Sequence, residues 1–439
     1  MSSSHSTVAA PLAEARPVDD TERLILLDAL RGFALCGVFV SNTYMWFSGR
    51  FLLTRAQIES FLAQASLADL VTTRGTAFLV FGKFITLFSF LFGLGFAVQM
   101  GRAEQRGGSI VPLYARRVGV LVLIGLAHGW LLWFGDILST YAVLGFTLLL
   151  FRKRSDKTLL IWSAVLIFLV PLLIENLPRL KEIFGSTADA EAAAKVMREQ
   201  REAVKAQVLV GFQSNSYFDL VRANALFYKG FLQGVFMTMP SILGRFLLGL
   251  VAGRHRIFHE PSKHLPLLRK VLIWGLITGI IGNGSSTVMS ILFAQKILNP
   301  DTLPWLPFVM WPVRQIGELG LAAFYVTGIT LLFQRATWQR VLSVLAPVGR
   351  MALSNYLSQT VLSLFIWYGI GLGLTTTLGP KVTVVLPLGI FAIQVILSHL
   401  WLARFRFGPA EWVWRSLTYG KAQPLRRAPT PEPSAATAV

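Results

Sequence analysis

A histidine and an aspartate lie eight residues apart in a stretch that is otherwise largely apolar. The stretch is GLAHGWLLWFGDILSTYAVLGF, residues 125–146, with His128 and Asp136 as its charged or basic members. An imidazole titrates near neutral pH and can remove a proton from a hydroxyl or an amine. A nearby carboxylate can orient the imidazole and stabilise its charged form. If a tight turn brings the two residues together, the spacing therefore predicts a base–acid pair.

Both residues also have a structural interpretation. A neutral imidazole can hydrogen-bond a carbonyl group inside a helical bundle, and an aspartate after Gly135 can cap the next helix. We do not expect a metal site, because no second histidine or cysteine lies near His128 and the chain has one cysteine, Cys36. The residues alone leave the catalytic and the structural interpretation open.

Other ionisable residues lie within apolar segments, where such groups usually have a partner or a function. Asp28 and Arg31 share a helical face, which predicts either a local ion pair or an arginine that binds an anionic ligand, such as a phosphorylated cofactor. Arg245 lies too deep to reach water easily and needs a buried partner or a cavity. Arg314 and Glu318, four residues apart, can satisfy one another.

Uncharged polar residues in apolar segments add further candidates. Asn42 follows Arg31 by eleven residues and is predicted in the outer half of the first span. Asn355 and Gln359 belong to the polar cluster SNYLSQ at residues 354–359. Side chains of this kind either hydrogen-bond neighbouring helices or line a substrate cavity.

The composition predicts an all-α, polytopic membrane protein. The 439 residues are 54% hydrophobic and 14% charged, with a mean hydropathy of +0.58, and several apolar runs are long enough to cross a bilayer. We predict about ten transmembrane helices, and an eleventh crossing also fits the sequence. The ten lie at residues 30–47, 76–100, 117–135, 136–151, 158–177, 233–253, 268–293, 314–333, 351–373 and 382–402.

The formal net charge of +19 reflects membrane topology rather than nucleic-acid binding. Lys and Arg are concentrated in alternate short connections, as the positive-inside rule expects, and these residues also attract anionic lipid headgroups. This pattern predicts that both termini are cytoplasmic. It excludes nucleic acid as the expected partner.

The chain divides into five predicted regions. Residues 1–22 form a disordered cytoplasmic tail without the apolar core of a signal peptide, and residues 422–439 form a second disordered tail. Residues 23–177 hold a five-helix transmembrane region, and residues 223–421 hold the C-terminal transmembrane region. Between them, residues 178–222 form an extracytoplasmic helical loop. That helix is either a solvated element or a lid over a site.

Three stretches together carry a family resemblance. They are RLILLDALRGFALCGVFVSN (residues 23–42), GRMALSNYLSQT (349–360) and FGPAEWVWRSLTYG (407–420). With the His128–Asp136 stretch they resemble the YeiB-like bacterial membrane proteins, whose C-terminal half is the domain of unknown function 418. The resemblance covers residues 23–421 and implies a multi-pass protein of the bacterial cytoplasmic (inner) membrane.

The resemblance also implies an activity, since the family is similar to transmembrane acyltransferases. These enzymes move an acyl group from cytoplasmic acyl-CoA to an acceptor across the membrane. By this likeness Arg31, beside Asp28, binds the CoA phosphates together with the cytoplasmic residues Arg116 and Arg117. No metal is implied. The acceptor would be a sugar, a lipid-linked compound or a small hydroxyl or amine compound, and membrane lipids would be partners.

One position departs from the acyltransferase pattern. The O-acyltransferases have a histidine eleven residues after the first-span arginine, where this chain has Asn42, and residues 43–75 contain no histidine. Asparagine is not a general base. On the acyltransferase interpretation, His128 therefore replaces that base and Asp136 orients it.

Further roles follow from the same interpretation. Asn42 and Arg245 would polarise the carbonyl group or bind substrate, and Asn355 and Gln359 would bind substrate. The alternative is a transporter or export factor for a lipid or small metabolite, with the buried charges as coupling groups. A third interpretation is a non-catalytic membrane scaffold. The sequence is compatible with an oligomer.

Overall fold

The computed structural model shows an all-α membrane protein, which confirms the predicted fold class. It describes residues 24–105, 109, 111–174, 176, 187–299, 302–303 and 305–427. These residues contain no β-strand beyond one isolated bridge between Phe405 and Arg426. The tail predicted at residues 1–22 lies outside the described residues, as does most of the tail predicted at 422–439 and the start of the loop predicted at 178–222.

Eight described segments are long and apolar enough to cross a membrane. They are Ile25–Leu52, Leu67–Gln105, Val111–Leu131, Asp156–Ile174, Gly234–Arg254, Pro261–Ala294, Leu306–Leu332 and Pro380–Arg404. Two further predicted spans correspond to the helices Leu138–Phe151, of 14 residues, and Ala352–Trp367, of 16 residues. A full crossing needs ~20 residues, so the structure supports eight full-length spans and two shorter helices.

The helices are numbered here in chain order. The first half comprises α1 Ile25–Asn42, α2 Arg55–Gln64, α3 Leu67–Leu79, α4 Lys83–Gln105, α5 Val111–Leu131, α6 Leu138–Phe151, α7 Asp156–Ala164 and α8 Thr187–Gln213. The second half comprises α9 Tyr217–Arg254, α10 Leu265–Ala294, α11 Leu306–Leu332, α12 Ala336–Ser343, α13 Ala346–Arg350, α14 Ala352–Trp367, α15 Pro380–Arg404 and α16 Pro409–Tyr419. α1 and α7 each continue into a π-helical segment, Thr43–Phe47 and Val165–Leu169.

Local sequence explains where several helices begin. The side chains of Ser66, Ser155 and Ser216 accept hydrogen bonds from backbone N–H groups in the first turns of α3, α7 and α9. A serine at this position satisfies an N–H group that has no acceptor within the helix. α10, α11, α15 and α16 instead have proline in the first turn, where the missing N–H costs no helical hydrogen bond.

Contacts between connecting segments define two ends of the bundle. At the proximal end, where the described chain begins and ends, Arg254 donates to the Asp156 carboxylate at 2.9 Å and the Trp414 indole donates to Arg117 O at 2.8 Å. At the distal end, Thr376 N donates to Ser48 O at 2.8 Å. Because the helices alternate in direction, the turn between α5 and α6 lies at the distal end with the α8–α9 connection.

Glycine allows the central helices to approach closely. A Cβ atom at Gly93 of α4 would overlap Phe246 O of α9, and one at Gly249 of α9 would overlap Phe90 O of α4. Small residues of this kind are the usual way in which membrane helices pack backbone against backbone. The tight α4–α9 pair forms a rigid wall, and the functional residues below are arranged around it.

The predicted extracytoplasmic helix is present as α8, which lies at the distal end. Val208 and Phe212 of this helix are buried, and Gly369 N, in the connection after α14, donates to Phe212 O at 2.7 Å. The C-terminal half of α8 is therefore docked on the bundle. Residues 223–240 are part of one continuous helix, α9.

Candidate functional site

A cavity of about 1260 Å³ lies within the bundle and extends from the proximal to the distal end. One face of α4 supplies much of its wall. Phe84, Phe88, Phe92, Gly95 and Gln99 all line the cavity, and their spacing of three or four residues places them on one helical stripe. The middle of the cavity is consequently apolar and aromatic.

The proximal end of the cavity is cationic. Arg31 lines it, is about one-third exposed and forms an ion pair with Asp28 at 2.8 Å, so the predicted local pair is present. Arg117 also lines it, and its guanidinium carbon lies 4.2 Å from the centre of the Trp414 ring. Arg350 and Arg415 line this end as well, and four guanidinium groups at one end of an apolar cavity suit an anionic headgroup such as a phosphate.

Glu411 of α16 is a further charged residue at this end. It lines the cavity, and its carboxylate accepts hydrogen bonds from Leu353 N at 2.6 Å and Ser354 N at 3.2 Å. The carboxylate thereby satisfies N–H groups in the first turn of α14. Burial raises the pKa of the Glu411 carboxyl group above its ordinary value, although the hydrogen bonds from Ser354 oppose that shift.

Towards the distal end, the cavity is lined by Asn42 and by an open part of α9. Asn42 lines the wall, and its substrate role stays a prediction. Gly230 and Gly234 also line it, and a Cβ atom at either glycine would have no neighbouring atom within 4 Å. The cavity therefore has open space beside these two glycines.

α8 closes part of the distal end. Met197, Gln200, Arg201, Val204 and Lys205 line the cavity, and Lys205 forms an ion pair with Glu202 at 2.9 Å. The helix thus brings polar and cationic groups to the distal mouth. This position agrees with the lid interpretation of the sequence, which stays a prediction.

His128 and Asp136 meet at the α5–α6 turn, as their spacing predicted. His128 Nδ1 lies 2.9 Å from Asp136 Oδ1, and both residues are 3% exposed. The other ring nitrogen, Nε2, lies 3.0 Å from the hydroxyl oxygen of Thr360 on α14. Both nitrogens of the imidazole are thus engaged, the first by a carboxylate and the second by a hydroxyl group.

Asp136 has a capping role as well. Its carboxylate accepts hydrogen bonds from Leu138 N at 3.1 Å, from Ser139 N at 2.8 Å and from the Ser139 hydroxyl at 2.6 Å. The two interpretations of Asp136 are therefore compatible, because one carboxylate both caps α6 and orients His128.

The pair lies behind the cavity wall rather than on it. The cavity-lining residues around it are Trp133, Gly135, Ile137 and Tyr356, and neither His128 nor Asp136 is among them. The Tyr356 ring lies 5.3 Å from the imidazole, centre to centre. A ligand in the cavity would contact the turn that the pair stabilises, and would reach His128 Nε2 only after a local rearrangement.

Arg245 has the buried partners that its depth required. It donates to Gln315 Oε1 at 2.9 Å and to Glu318 Oε2 at 3.3 Å. Arg314 Nε donates to Glu318 Oε1 at 2.9 Å, as the four-residue spacing predicted. Arg245 does not line the cavity, so the structure gives no direct contact for its predicted substrate role.

The remaining predicted residues are away from the cavity lining. Asn355 donates to Ser398 Oγ at 3.0 Å, and Gln359 donates to Gln394 Oε1 at 2.9 Å, so both join α14 to α15. Arg116 is exposed at the proximal end and donates weakly to Thr418 O at 3.4 Å. Among the predicted anion-binding residues, the structure brings together Asp28, Arg31 and Arg117 on one wall.

Three residues of the buried polar sites were missed by the sequence analysis. Thr360 comes from a helix 232 residues away in sequence, and no local pattern connects it to His128. Glu411 lies beyond the last predicted span and carries no motif of its own. Lys83 did have a signal, because a lysine within an apolar segment usually has a partner or a function. Lys83 is 2% exposed and donates to Ala77 O at 2.8 Å.

Within the described part of the chain, no group of three His, Cys, Asp or Glu residues has the geometry to hold a metal ion. The His128 site offers one imidazole and one carboxylate. Its remaining neighbours suit proton handling or capping better than metal coordination.

Comparison with known proteins gives the family. Residues 252–421 match the family described as "Protein of unknown function (DUF418)". The chain is 35% identical over 430 residues to "Uncharacterized protein YxaH" of Bacillus subtilis (strain 168), covering 95% of this chain and 99% of that protein. It is 28% identical over 414 residues to "Uncharacterized protein YeiB" of Escherichia coli (strain K12), covering 92% of this chain and 98% of that protein.

No solved structure matches the chain significantly. The relatives cover almost the whole chain, including the first-span motif and the α5–α6 turn, and the matched domain covers its C-terminal part. Sequence and architecture thus agree on one assignment. The chain belongs to the YeiB-like DUF418 family of membrane proteins.

Proposed function

We propose that the protein is a transmembrane acyltransferase that moves an acyl group from acyl-CoA to a hydroxyl or amine acceptor. The observation that carries the proposal is one cavity with a cationic proximal end, an aromatic middle and a polar distal mouth. Such a cavity suits an amphiphile that has a phosphorylated headgroup and an apolar chain.

The donor headgroup binds at the proximal end in this proposal. Arg31 and Arg117 pair with phosphate oxygens of CoA, and the acyl chain lies along the Phe84–Phe88–Phe92 stripe of α4. The acceptor, a sugar, a lipid-linked compound or a small metabolite, enters at the distal mouth beneath α8. Asn42 lies on the wall between the two ends and donates a hydrogen bond to the thioester carbonyl oxygen.

The chemical step is addition to the thioester followed by loss of the thiolate. The acceptor oxygen or nitrogen forms a bond to the carbonyl carbon, and the carbon–sulfur bond breaks. The acceptor proton passes to His128 Nε2, whose charged form Asp136 stabilises, and then to the departing CoA sulfur. For this transfer the acceptor must take the place of the Thr360 hydroxyl, which lies 3.0 Å from Nε2.

A second candidate is a transporter for an anionic amphiphile. One observation favours it: His128 and Asp136 do not line the cavity, whereas the cavity itself reaches both ends of the bundle. A carrier needs the cavity but does not need a base in contact with the ligand.

The proposal includes an orientation in the bacterial cytoplasmic membrane. The positive-inside distribution of Lys and Arg supports a cytoplasmic proximal end, with both termini in the cytoplasm. In this orientation acyl-CoA reaches Arg31 directly. Membrane lipids surround the bundle and are its general partners.

The test is an acyl-transfer assay on the purified protein in lipid nanodiscs. Radiolabelled acyl-CoA is incubated with candidate lipid and sugar acceptors, and labelled product is measured. Gly234→Trp places an indole at a cavity-lining position where an added Cβ atom meets no other atom within 4 Å, so we expect at least a tenfold loss of transfer. Gly389→Trp, at an equally open position on α15 outside the cavity, should retain activity.

Three results would contradict parts of the proposal. Equal activity of the two tryptophan variants would remove the cavity from the reaction. Full turnover by a folded His128→Ala variant would exclude the assigned base. Movement of a labelled amphiphile across the membrane of proteoliposomes, without a covalent product from any acceptor, would replace the acyltransferase with the transporter.

A further inference from the structure

We propose that the break between α3 and α4 is a second binding site, deep in the bundle, for the phosphate or carboxylate group of an amphiphile. This site is separate from the proximal arginines, and its existence does not depend on whether the protein transfers acyl groups. Its residues are Gly82, Lys83, Arg245, Arg314 and Glu318, which are called the break cluster below.

The first observation is the break itself. The 39-residue apolar segment Leu67–Gln105 is interrupted after Leu79, and α4 begins at Lys83. Gly82 has a φ of 80°, a conformation that favours glycine. A break within a membrane-spanning segment exposes backbone groups and is usually found where the chain lines a cavity.

The break places the amino-terminal turn of α4 on the cavity wall. Gly82, Phe84 and Ile85 all line the cavity. The first N–H groups of a helix have no acceptor within that helix, and the positive end of its dipole lies there. The start of α4 therefore presents a positive electrostatic potential to the cavity, midway between its two ends.

The second observation is the charge of the cluster. Lys83, Arg245 and Arg314 are three cations, and Glu318 is the carboxylate that they share. Glu318 pairs with Arg245 at 3.3 Å and with Arg314 at 2.9 Å, and both Glu318 and Arg314 are electrostatic neighbours of Lys83. With each group in its ordinary ionisation state, the cluster carries two positive charges in excess.

Lys83, Arg245 and Glu318 are buried, whereas the Arg314 side chain is 59% exposed. The buried part of the cluster therefore has one positive charge in excess, and such a charge is costly in a membrane-spanning bundle. One carboxylate bonded to one arginine would already complete a structural ion pair, so packing alone does not explain the additional cations. An anionic ligand would offset the excess.

The third observation is that donors in the cluster remain available. Arg245 is 5% exposed, and its Nε has no hydrogen-bond partner in the described structure. Lys83 donates one recorded hydrogen bond, to Ala77 O, while an ammonium group has three N–H donors. Unsatisfied buried donors of this kind are rare in native proteins, and a bound ligand is one explanation for them.

Geometry separates this site from the proximal one. A Cβ atom at Gly95 would lie 3.6 Å from the Arg31 guanidinium, so the proximal site is level with Gly95 of α4. Lys83 lies twelve residues earlier on the same helix, which corresponds to ~18 Å of helix rise. One phosphate group cannot contact both sites. The cavity therefore has room for two anionic groups at different depths.

The test measures binding of dodecyl phosphate, with dodecanol as the uncharged comparison, by calorimetry of the full-length protein in maltoside detergent. Lys83→Met removes one positive charge and should weaken dodecyl phosphate binding about tenfold. Glu318→Gln removes the negative charge and should tighten it. Lys270→Met makes the same charge change as the first variant at an exposed position of α10 outside the cavity, and it should change nothing.

The opposite signs distinguish a ligand site from a structural cluster. Damage to the fold would weaken both ligands in both variants, and melting temperatures without ligand would report that damage. The proposal is overturned if Glu318→Gln weakens dodecyl phosphate binding, or if Lys83→Met leaves it unchanged. Competition by phosphatidylglycerol or by acyl-CoA then shows whether the site binds a lipid headgroup or the phosphate of CoA. The dodecyl phosphate result is valid even if no acyl transfer is found.

Discussion

The His128–Asp136 pair and the break cluster are both buried polar sites next to the same cavity. They differ in how completely their hydrogen-bonding groups and charges are matched by partners. In the pair, both imidazole nitrogens and both carboxylate oxygens have partners within 3.1 Å. In the break cluster, three cations share one carboxylate and Arg245 Nε has no described partner. Among the described residues, the first site satisfies its hydrogen-bonding groups, whereas the second does not.

This difference suggests different roles. A fully satisfied network holds one geometry, because any movement breaks a buried hydrogen bond. An incompletely satisfied cluster has donors left for a ligand. On this basis the pair first of all fixes the α5–α6 turn, and any catalytic role requires Thr360 to release His128. In the break cluster, Gly82 lines the cavity while the charged side chains lie behind it, and Arg245 Nε has no hydrogen bond that a ligand would have to break.

The largest effect should come from Asp136→Ala. The substitution removes the acceptor of four hydrogen bonds and leaves buried donors on His128, Leu138 and Ser139 unsatisfied. We expect the free energy of unfolding to fall by about 3–5 kcal/mol, as measured by unfolding in mixed detergent micelles. Asp136→Asn retains one carbonyl acceptor and should lose less. A loss below about 1 kcal/mol for alanine would show that the pair is not the structural support of the turn.

The sequence allowed this pair but did not require it, and it gave no indication of the pair's surroundings. His128 and Asp136 meet because a tight turn joins α5 to α6, and the eight-residue spacing was compatible with such a turn. The i,i+3 and i,i+4 ion pairs at Asp28 and Glu318 were predictable from helix geometry. In each case the interaction is local, and a single helix or turn determines it.

Contacts between distant helices were beyond the sequence. Helical periodicity shows which residues share a face, but it does not show which helix that face contacts. Asn355 and Gln359 were predicted either to hydrogen-bond a neighbouring helix or to bind substrate, and the sequence did not show that the neighbouring helix is α15. The position of Thr360 beside His128 and that of Arg245 beside Glu318 depend on the packing of helices far apart in the chain. The break before Lys83 was also missed, because the apolar composition continues across it.

The second-largest effect should come from Gly82→Ala, which tests the break cluster. A β-carbon there would overlap the Glu318 carboxyl group, and the φ of 80° is unfavourable for alanine. We expect a loss of about 1–3 kcal/mol in the free energy of unfolding, together with weaker dodecyl phosphate binding. Gly75→Ala, on α3 with open space around the new methyl group, is the matched control. If the two variants had equal free energies of unfolding and bound dodecyl phosphate equally well, the geometry of the break would not be required for stability or for binding.

The smallest effect should be a pH-dependent change in the stability of the Glu411→Gln variant relative to the wild type. This variant tests whether the Glu411 carboxyl group, like that of Asp136, is stabilised by its hydrogen bonds. Burial raises the pKa of Glu411 in the folded protein. A carboxyl group whose pKa is higher when folded stabilises the protein most while it is protonated. That contribution is complete below the ordinary pKa and is lost as the pH rises through the raised value.

Glutamine remains neutral throughout, so the variant should gain stability relative to the wild type between pH 4 and pH 8. Melting temperatures across that range, in one detergent and at constant ionic strength, measure the difference. The opposite trend, in which the melting temperature of the variant falls relative to the wild type as the pH rises, would mean that the hydrogen bonds from Leu353 N and Ser354 N outweigh the effect of burial on the Glu411 pKa. Glu411 would then be a charged cap of α14, and its hydrogen bonds rather than its depth would decide whether it is ionised.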